Sequence, residues 1–127
     1  MIKEEDRLSK EIIGAAIEVH RHLGPGLLES AYEECLCKEL EIREIVFERQ
    51  KPLAVVYKGI KLDCGYKLDI VVEGKVILEL KSVNKIESIH EAQLLTYLRL
   101  ANLKLGILIN FNVPILKEGI KRIVNNL

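Results

Sequence analysis

The chain has 127 residues, of which 49% are hydrophobic and 30% are charged. This length supports one hydrophobic core and is too short for two ordinary domains, so we expect a single domain over residues 1–127. Nineteen basic residues balance nineteen acidic residues. This balance excludes a global field for nucleic acid or an anionic membrane, so any polyanion must be held locally or through bound metal.

Two amphipathic helices are predicted at the start of the chain. Apolar residues recur at helical spacing over residues 8–23, and the Gly-Pro-Gly segment at 24–26 ends this helix and turns the chain. A second apolar stripe at helical spacing then follows, formed by Leu28, Ala31, Tyr32, Cys35, Leu36 and Leu40. The two helices therefore form a helical hairpin.

Strands are predicted from about Ile45 onward, where the apolar residues alternate and the β-branched content rises. Four such segments, EIVFERQ, PLAVVYKG, YKLDIVV and KVILELKSV, are separated by turn residues at Pro52, 58–59 and 73–75. This pattern predicts an antiparallel meander of four strands.

A third helix and a buried strand follow the meander. Ser88 and Glu91 have the spacing of a capping box, which predicts a helix from Ser88 to about Asn102. The apolar run LGILINF at 105–111 is typical of a strand buried on both faces, and a crossover helix sets it parallel to 76–82. The tail GIKRIVNNL is ambiguous between a short edge strand and a helical turn. The predicted order is α-α-β-β-β-β-α-β plus a short C-terminal element.

The hairpin YKLDIVVEGKVILELK, residues 66–81, combines two aliphatic faces with three charged residues. The aliphatic set, expected to face one core, is Tyr66, Leu68, Ile70, Val72, Val76, Leu78 and Leu80. This requires Val72 to pair with Val76 across a loop at 73–75. Asp69 then lies opposite Glu79, and Lys81 lies about 7 Å further along the same face.

Two opposed carboxylates repel each other unless a cation lies between them. Lys81 could supply that charge as a solvated Glu-Lys pair on an open sheet face, worth about 0 to 1 kcal/mol. Alternatively, the oxygens of Asp69 and Glu79 hold a divalent cation, which leaves Lys81 to act on water or on a developing phosphate charge. The spacing leaves both interpretations open.

The same spacing of an acid and an E-x-K element occurs a second time, in Asp63, Glu73 and Lys75. That copy places its E-x-K element in the turn around Gly74, where side chains point into water. The copy that ends at Lys81 lies in the middle of the sheet, so we favour it as the functional set.

Four polar residues on the predicted helices are candidate supporting residues. Gln93 and Tyr97 share a face of the third helix, either as solvated polar tips or as phosphate contacts beside the sheet. Glu29 heads the stripe of the second helix, where an acid either stabilises the helix N-terminus or acts as a ligand. His20 lies beside the stripe of the first helix, where a satisfied, partly buried histidine is the simpler interpretation.

The cysteines and the N-terminal segment indicate the compartment. Cys35, Cys37 and Cys64 are an odd number, and the start MIKEEDR carries no secretory signal, which favours reduced thiols. The three histidines are scattered, which disfavours a zinc site. No long apolar run suggests a membrane span, so we expect a cytoplasmic protein.

These residues resemble the GxxExxY proteins of the PD-(D/E)XK nuclease superfamily. Gly26, Glu29 and Tyr32 spell the family motif within LGPGLLESAYEECL. The resemblance continues through GYKLDIVVEGKVILELKSV, HEAQLLTYL and LGILINFNVPILKEGIKRIV, so it covers nearly the full chain.

The resemblance implies a restriction-endonuclease-like α/β fold, with a mixed sheet flanked by helices, and phosphodiester hydrolysis that depends on Mg²⁺ or Mn²⁺. Asp69 matches the motif aspartate, while Glu79 and Lys81 match the E-x-K element. The superfamily proline is absent, since Lys67 and Leu68 precede Asp69. The implied metal ligands are Asp69, Glu79, the Leu80 carbonyl, Glu29 and His20.

The remaining matches support the same site. Gln93 and Tyr97 match the glutamine-x-x-x-tyrosine helix of the lambda-exonuclease-like branch, and Tyr32 is a further supporting residue. The implied substrate is nucleic acid, either DNA or RNA. The alternative function is a catalytically silent nuclease-fold module that acts through a partner. Because the net charge is zero, an oligomer or a separate recognition subunit would supply the additional affinity for nucleic acid.

Overall fold

Residues 3–127 are described by a computed structural model of the chain. Two helices come first, followed by three strands, a third helix and two further strands. The elements are α1 (Glu4–Leu23), α2 (Glu29–Ile42), β1 (Phe47–Tyr57), β2 (Ile60–Val72), β3 (Val76–Lys81), α3 (Ser88–Ala101), β4 (Leu105–Asn110), a 3₁₀ turn (Leu116–Gly119) and β5 (Ile120–Val124).

The five strands form one mixed sheet in the order β1-β2-β3-β4-β5. All neighbouring strands are antiparallel except β3 and β4, which α3 connects as a parallel pair. The predicted fold class, a mixed α/β sheet flanked by helices of the restriction-endonuclease-like kind, is therefore confirmed. The ambiguous tail forms β5, which pairs with β4 at the sheet edge.

The predicted break at Pro52 is wrong, because β1 runs through it from Phe47 to Tyr57. The meander therefore has three strands rather than four. Proline lacks an N–H donor and interrupts a central ladder, but an edge strand has one side with no neighbour. Since β1 is the edge strand, Pro52 fits within it and still aligns with Lys67 of β2.

The sheet separates two hydrophobic cores. Helices α1 and α2 cover one face, in a core that includes Leu8, Ile12, Tyr32, Leu36, Leu40, Ile70, Val72, Val76, Leu78, Leu80, Ile107 and Phe111. Helix α3 covers the other face, with Leu53, Leu68, Val71, Ile77, Leu94, Leu98 and Leu108. A Cβ at Gly106 would lie 2.8 Å from Cγ of Leu94, so glycine at this position permits close packing of α3 on β4.

The predicted hairpin register is confirmed, since Val72 aligns with Val76 and Ile70 with Leu78. The predicted shared face is wrong for Leu68, which packs in the α3 core while Ile70 packs in the α1/α2 core. The alternation breaks at Asp69, whose counterpart Gln50 on β1 has a φ of +53° and drops out of the ladder. Because of this kink, the side chains of β2 that precede Asp69 point to the opposite face from the one that simple alternation predicts.

Helix α3 begins where the sequence predicts, but a different pair of residues caps it. The N-cap is Glu87, and its backbone N–H donates to Nδ1 of His90 at 2.9 Å. The capping box therefore consists of Glu87 and His90 rather than Ser88 and Glu91. Among the described residues, no helix is both long and apolar enough to cross a membrane.

Candidate active site

The centre of the candidate site is the point where β2 and β3 separate. The last aligned pair of their ladder is Ile70 and Leu78, and the next two facing residues are Asp69 and Glu79. The Leu80 N–H donates to Oδ2 of Asp69 at 2.9 Å, and the Asp69 N–H donates to Oε1 of Glu79 at 3.4 Å. Side-chain carboxyl groups thus replace the backbone ladder between the strands.

Burial and the neighbouring Asp69 carboxyl group perturb Glu79 strongly. Glu79 is only 9% exposed. Burial, followed by repulsion from Asp69, raises the pKa of Glu79 from 4.5 to about 8, and the hydrogen bond from the Asp69 N–H and the nearby charge of Lys81 only partly oppose this. Among residues 3–127, no carboxylate lies within 4.0 Å of the Lys81 ammonium. The patch therefore carries an acid pair without a bound counter-charge.

Two tyrosines border the acid pair. Burial raises the pKa of Tyr97 on α3, and the neighbouring Glu79, Tyr66 and Asp69 add to this rise. The ring centroids of Tyr66 and Tyr97 are 6.0 Å apart. The aliphatic alternation assigned Tyr66 to the core, but this residue is 46% exposed and lies against Tyr97. Strict alternation concealed this location because the β2 kink reverses the faces.

The segment immediately after Lys81 is fixed by side chains that sequence reasoning missed. Asn110 aligns with Lys81 in the ladder and is 2% exposed. Its Oδ1 accepts the Val83 N–H at 3.1 Å, and its Nδ2 donates to the Val83 carbonyl at 2.9 Å. The Ser82 hydroxyl donates to the Leu27 carbonyl at 2.6 Å. A lone amide within the apolar run LGILINF was the signal available for Asn110.

Tyr32 anchors the loop before α2. Its hydroxyl donates to the Gly24 carbonyl at 2.6 Å and accepts the Leu27 N–H at 3.1 Å, while its ring stacks on Phe111 with centroids 4.4 Å apart. The loop also needs a positive φ of +69° at Gly24 and +100° at Gly26, which glycine adopts most easily. Tyr32 is therefore a buried anchor, connected to the segment after Lys81 through Leu27.

The other predicted supporting residues lie apart from these contacts. Glu29 is the exposed first residue of α2, and Gln93 is exposed on α3 one turn before Tyr97. His20 is buried, and its Nε2 is hydrogen-bonded to the Val113 carbonyl oxygen at 2.8 Å. Within residues 3–127, no three His, Cys, Asp or Glu side chains are grouped to hold a metal ion. Ligand roles for Glu29 and His20 stay predictions.

The second acid and E-x-K copy is not assembled at this point of the sheet. Asp63 is exposed on the outer part of β2, and its Oδ1 accepts the Gly65 N–H at 3.0 Å. Glu73 lies in the turn between β2 and β3, 3.6 Å from the Arg7 guanidinium. Only the copy formed by Asp69, Glu79 and Lys81 lies at the point where β2 and β3 separate.

The fold and the acid pair define the class of protein as nuclease-like. A family model described as the PD-(D/E)XK nuclease superfamily matches residues 6–123. The chain therefore belongs to the PD-(D/E)XK nuclease superfamily. No curated protein and no solved structure matches the chain. Membership of the narrower GxxExxY family stays a prediction.

Proposed function

We propose that this protein is a nuclease that hydrolyses phosphodiester bonds of nucleic acid and depends on a divalent metal ion. The observation that carries this proposal is the pair formed by the buried Glu79 and the half-buried Asp69, which lies beside Lys81 and has no ion-pair partner among the described residues. Membership of a nuclease superfamily supports the same chemistry.

The donor atoms fit a divalent cation of the Mg²⁺ or Mn²⁺ type, which prefers carboxylate and carbonyl oxygens. Asp69, Glu79 and the Leu80 carbonyl would hold the ion, and Glu29 and His20 are the candidate additional ligands. The repulsion that raises the pKa of Glu79 is the interaction that a cation would relieve. When bound, such an ion supplies Lewis-acid polarisation of the phosphoryl group.

The chain's own residues would then orient and stabilise the reacting groups. The Leu80 N–H fixes one oxygen of Asp69, so this carboxylate keeps its direction. The Lys81 ammonium, without an ion-pair partner in the described chain, orients the attacking water or stabilises the charge that develops on the phosphate. The Tyr97 hydroxyl, whose pKa is raised further above neutral by its burial beside the acids, can donate to a phosphate oxygen.

The central experiment measures metal-dependent stability and cleavage together. Mg²⁺ or Mn²⁺ should raise the melting temperature by binding only the folded state. Labelled single- and double-stranded DNA and RNA then identify the substrate. Asp69→Asn should lose both the thermal shift and cleavage, whereas Lys81→Ala should keep the shift and lose cleavage by roughly 100-fold or more. Asp63→Asn and Lys75→Ala, from the second copy, are matched controls that should retain both.

The alternative function is a silent nuclease-fold module that acts through a partner. Metal stabilisation without cleavage of any substrate in the panel would favour this alternative. Two results together would contradict the nuclease assignment: millimolar Mg²⁺ and Mn²⁺ leave the melting temperature unchanged, and Asp69→Asn is more stable than the parent protein. Asp69 and Glu79 would then not form a metal site.

A further inference from the structure

The outer part of the β1–β2 hairpin, residues 54–67, forms an exposed ribbon that we call the arm. Every residue from 56 to 67 is exposed. At its tip the aligned pair Tyr57 and Ile60 are each 61% exposed. A two-stranded ribbon without a covering layer gains little stability by itself. The exposed side chains of the arm are therefore available to a partner.

The arm is locally basic in a chain whose net charge is zero. It carries Lys58, Lys61 and Lys67 but a single acid, Asp63. The Asp63 carboxylate accepts the Gly65 N–H at 3.0 Å. Within the described residues, none of the three lysines has a carboxylate within 4.0 Å. Their charges are thus uncompensated, and they favour a polyanionic partner.

The arm is continuous with the acid pair. Lys67 precedes Asp69 by two residues, and Tyr66 at the base of the arm packs against Tyr97. Asp69 lies nine residue steps along β2 from Ile60, which at the usual rise is about 30 Å. Because each strand of a duplex advances about 3.4 Å along the helix axis per phosphate, that length corresponds to roughly nine base pairs of duplex.

We propose that the arm is the nucleic-acid-binding surface of this protein, with Lys58, Lys61 and Lys67 on backbone phosphates that lead away from the acid pair. This inference rests on the proposed nuclease function. The exposed Tyr57 and Tyr66 rings are suited to stacking on bases or sugars beside those phosphates. An arm-to-arm contact between two copies fits less well, since two-fold symmetry sets the same lysines against each other.

The binding test uses Asp69→Asn as a background that does not cleave, so affinity is measured without chemistry. Labelled DNA and RNA are titrated between 50 and 200 mM salt. Adding Lys58→Ala, Lys61→Ala and Lys67→Ala should lower the slope of log affinity against log salt by about three, roughly one for each lost phosphate contact. The matched control replaces the exposed Lys10, Lys38 and Lys104 by alanine and should leave the slope unchanged. Affinity for duplexes should rise with length up to roughly nine base pairs and then level off.

A cleavage test separates failure of this inference from failure of the proposed function. On the unaltered active site, the arm triple variant should lose cleavage of long nucleic acid but retain metal-dependent hydrolysis of bis(p-nitrophenyl) phosphate. Equal nucleic-acid affinities for the arm and control variants overturn the arm proposal and leave the nuclease proposal intact. A change from dimer to monomer in the arm variant, with unchanged affinity, identifies a self-association surface and also overturns it. If the parent protein cleaves neither substrate, the proposed function itself is wrong.

Discussion

Two glutamates on different sides of the sheet, Glu33 on α2 and Glu79 on β3, are equally buried, with 9% of each residue exposed. Glu33 accepts hydrogen bonds from Nε of Arg49 at 2.7 Å and from Nε2 of Gln50 at 2.8 Å. Glu79 accepts one long bond, from the Asp69 N–H at 3.4 Å, and adjoins the Asp69 carboxyl group. The same burial thus occurs with opposite electrostatic surroundings.

This contrast shows that burial alone does not identify a functional acid. A buried carboxylate is costly unless an opposite charge and hydrogen bonds satisfy it. The Arg49 guanidinium also binds Glu34 at 2.9 Å, and these bonds raise the pKa of Arg49 above its ordinary range. The Glu33 cluster is therefore electrostatically complete within the fold. The Glu79 cluster has no such partner among the described residues, so only a proton or a bound cation can neutralise it, and this difference makes it the candidate site.

The largest expected difference between the two clusters is in catalysis. Glu79→Gln should reduce cleavage by about 100-fold or more, because it removes a ligand charge where charge develops in the transition state. Glu33→Gln should keep cleavage within a few-fold, measured at a temperature where both variants are folded. Equal losses in steady-state cleavage assays would show that the two clusters do not differ in function.

The second expected difference is in the cost of removing the cation. Arg49→Ala leaves the buried Glu33 without its charged partner and should reduce the free energy of unfolding by about 3 kcal/mol. The control is Arg43→Ala, which breaks a helical pair with Glu39 at 2.7 Å and should cost roughly 0.5 kcal/mol. Urea denaturation checks both values. If Arg49→Ala costs no more than Arg43→Ala, the Glu33 cluster is not held by its ion pair.

The third expected difference is in the pH dependence of the metal-free protein. The pKa of Glu79 rises from 4.5 to about 8 on folding, so the folded state holds a proton that the unfolded state releases. Stability contributed at low pH is therefore lost as pH rises from about 4.5 to about 8, by roughly 5 kcal/mol at about 1.4 kcal/mol per pH unit. Glu79→Gln should flatten this decline, whereas Glu33→Gln should preserve it. Chelator-treated protein in denaturant titrations at several pH values provides the measurement. A decline that survives Glu79→Gln must come from another group.

The acid pair was predictable from sequence because of one local constraint. The aliphatic alternation around the 73–75 loop permits only a register that aligns Val72 with Val76, and that register opposes Asp69 and Glu79. The parallel strand after α3 was predictable for a similar reason, since a crossover helix dictates it. Both features therefore follow from patterns of residues that are close together in the sequence.

The sequence did not reveal features that depend on the neighbours of a strand. Pro52 predicts the end of a strand unless β1 is known to be an edge strand of the sheet. The location of Tyr66 beside Tyr97 depends on the kink at Gln50, and hydrophobic alternation cannot show a positive φ at a residue other than glycine. The buried bonds of Asn110 likewise depend on which segment follows Lys81 in space.

The smallest expected effect tests whether the two clusters are coupled through Gln50. Gln50 has a φ of +53° directly across from Asp69, while its side chain donates to Glu33. Both Gln50→Gly and Gln50→Ala remove that hydrogen bond, but only glycine adopts the left-handed conformation without the usual cost of about 1 to 2 kcal/mol. Gln50→Ala should therefore be less stable than Gln50→Gly by roughly 1 kcal/mol in urea denaturation.

The same two variants should also differ at the acid pair. Alanine favours a return to the regular pleat at position 50, which would turn Asp69 away from the Leu80 N–H that it accepts at 2.9 Å. The increase in melting temperature produced by Mn²⁺ should consequently be smaller for Gln50→Ala than for Gln50→Gly. Each variant is compared with its own metal-free melting temperature, so a general loss of stability does not imitate the effect. Identical Mn²⁺ shifts would show that the kink, although it separates the strands, is not required to hold the carboxyl groups in place.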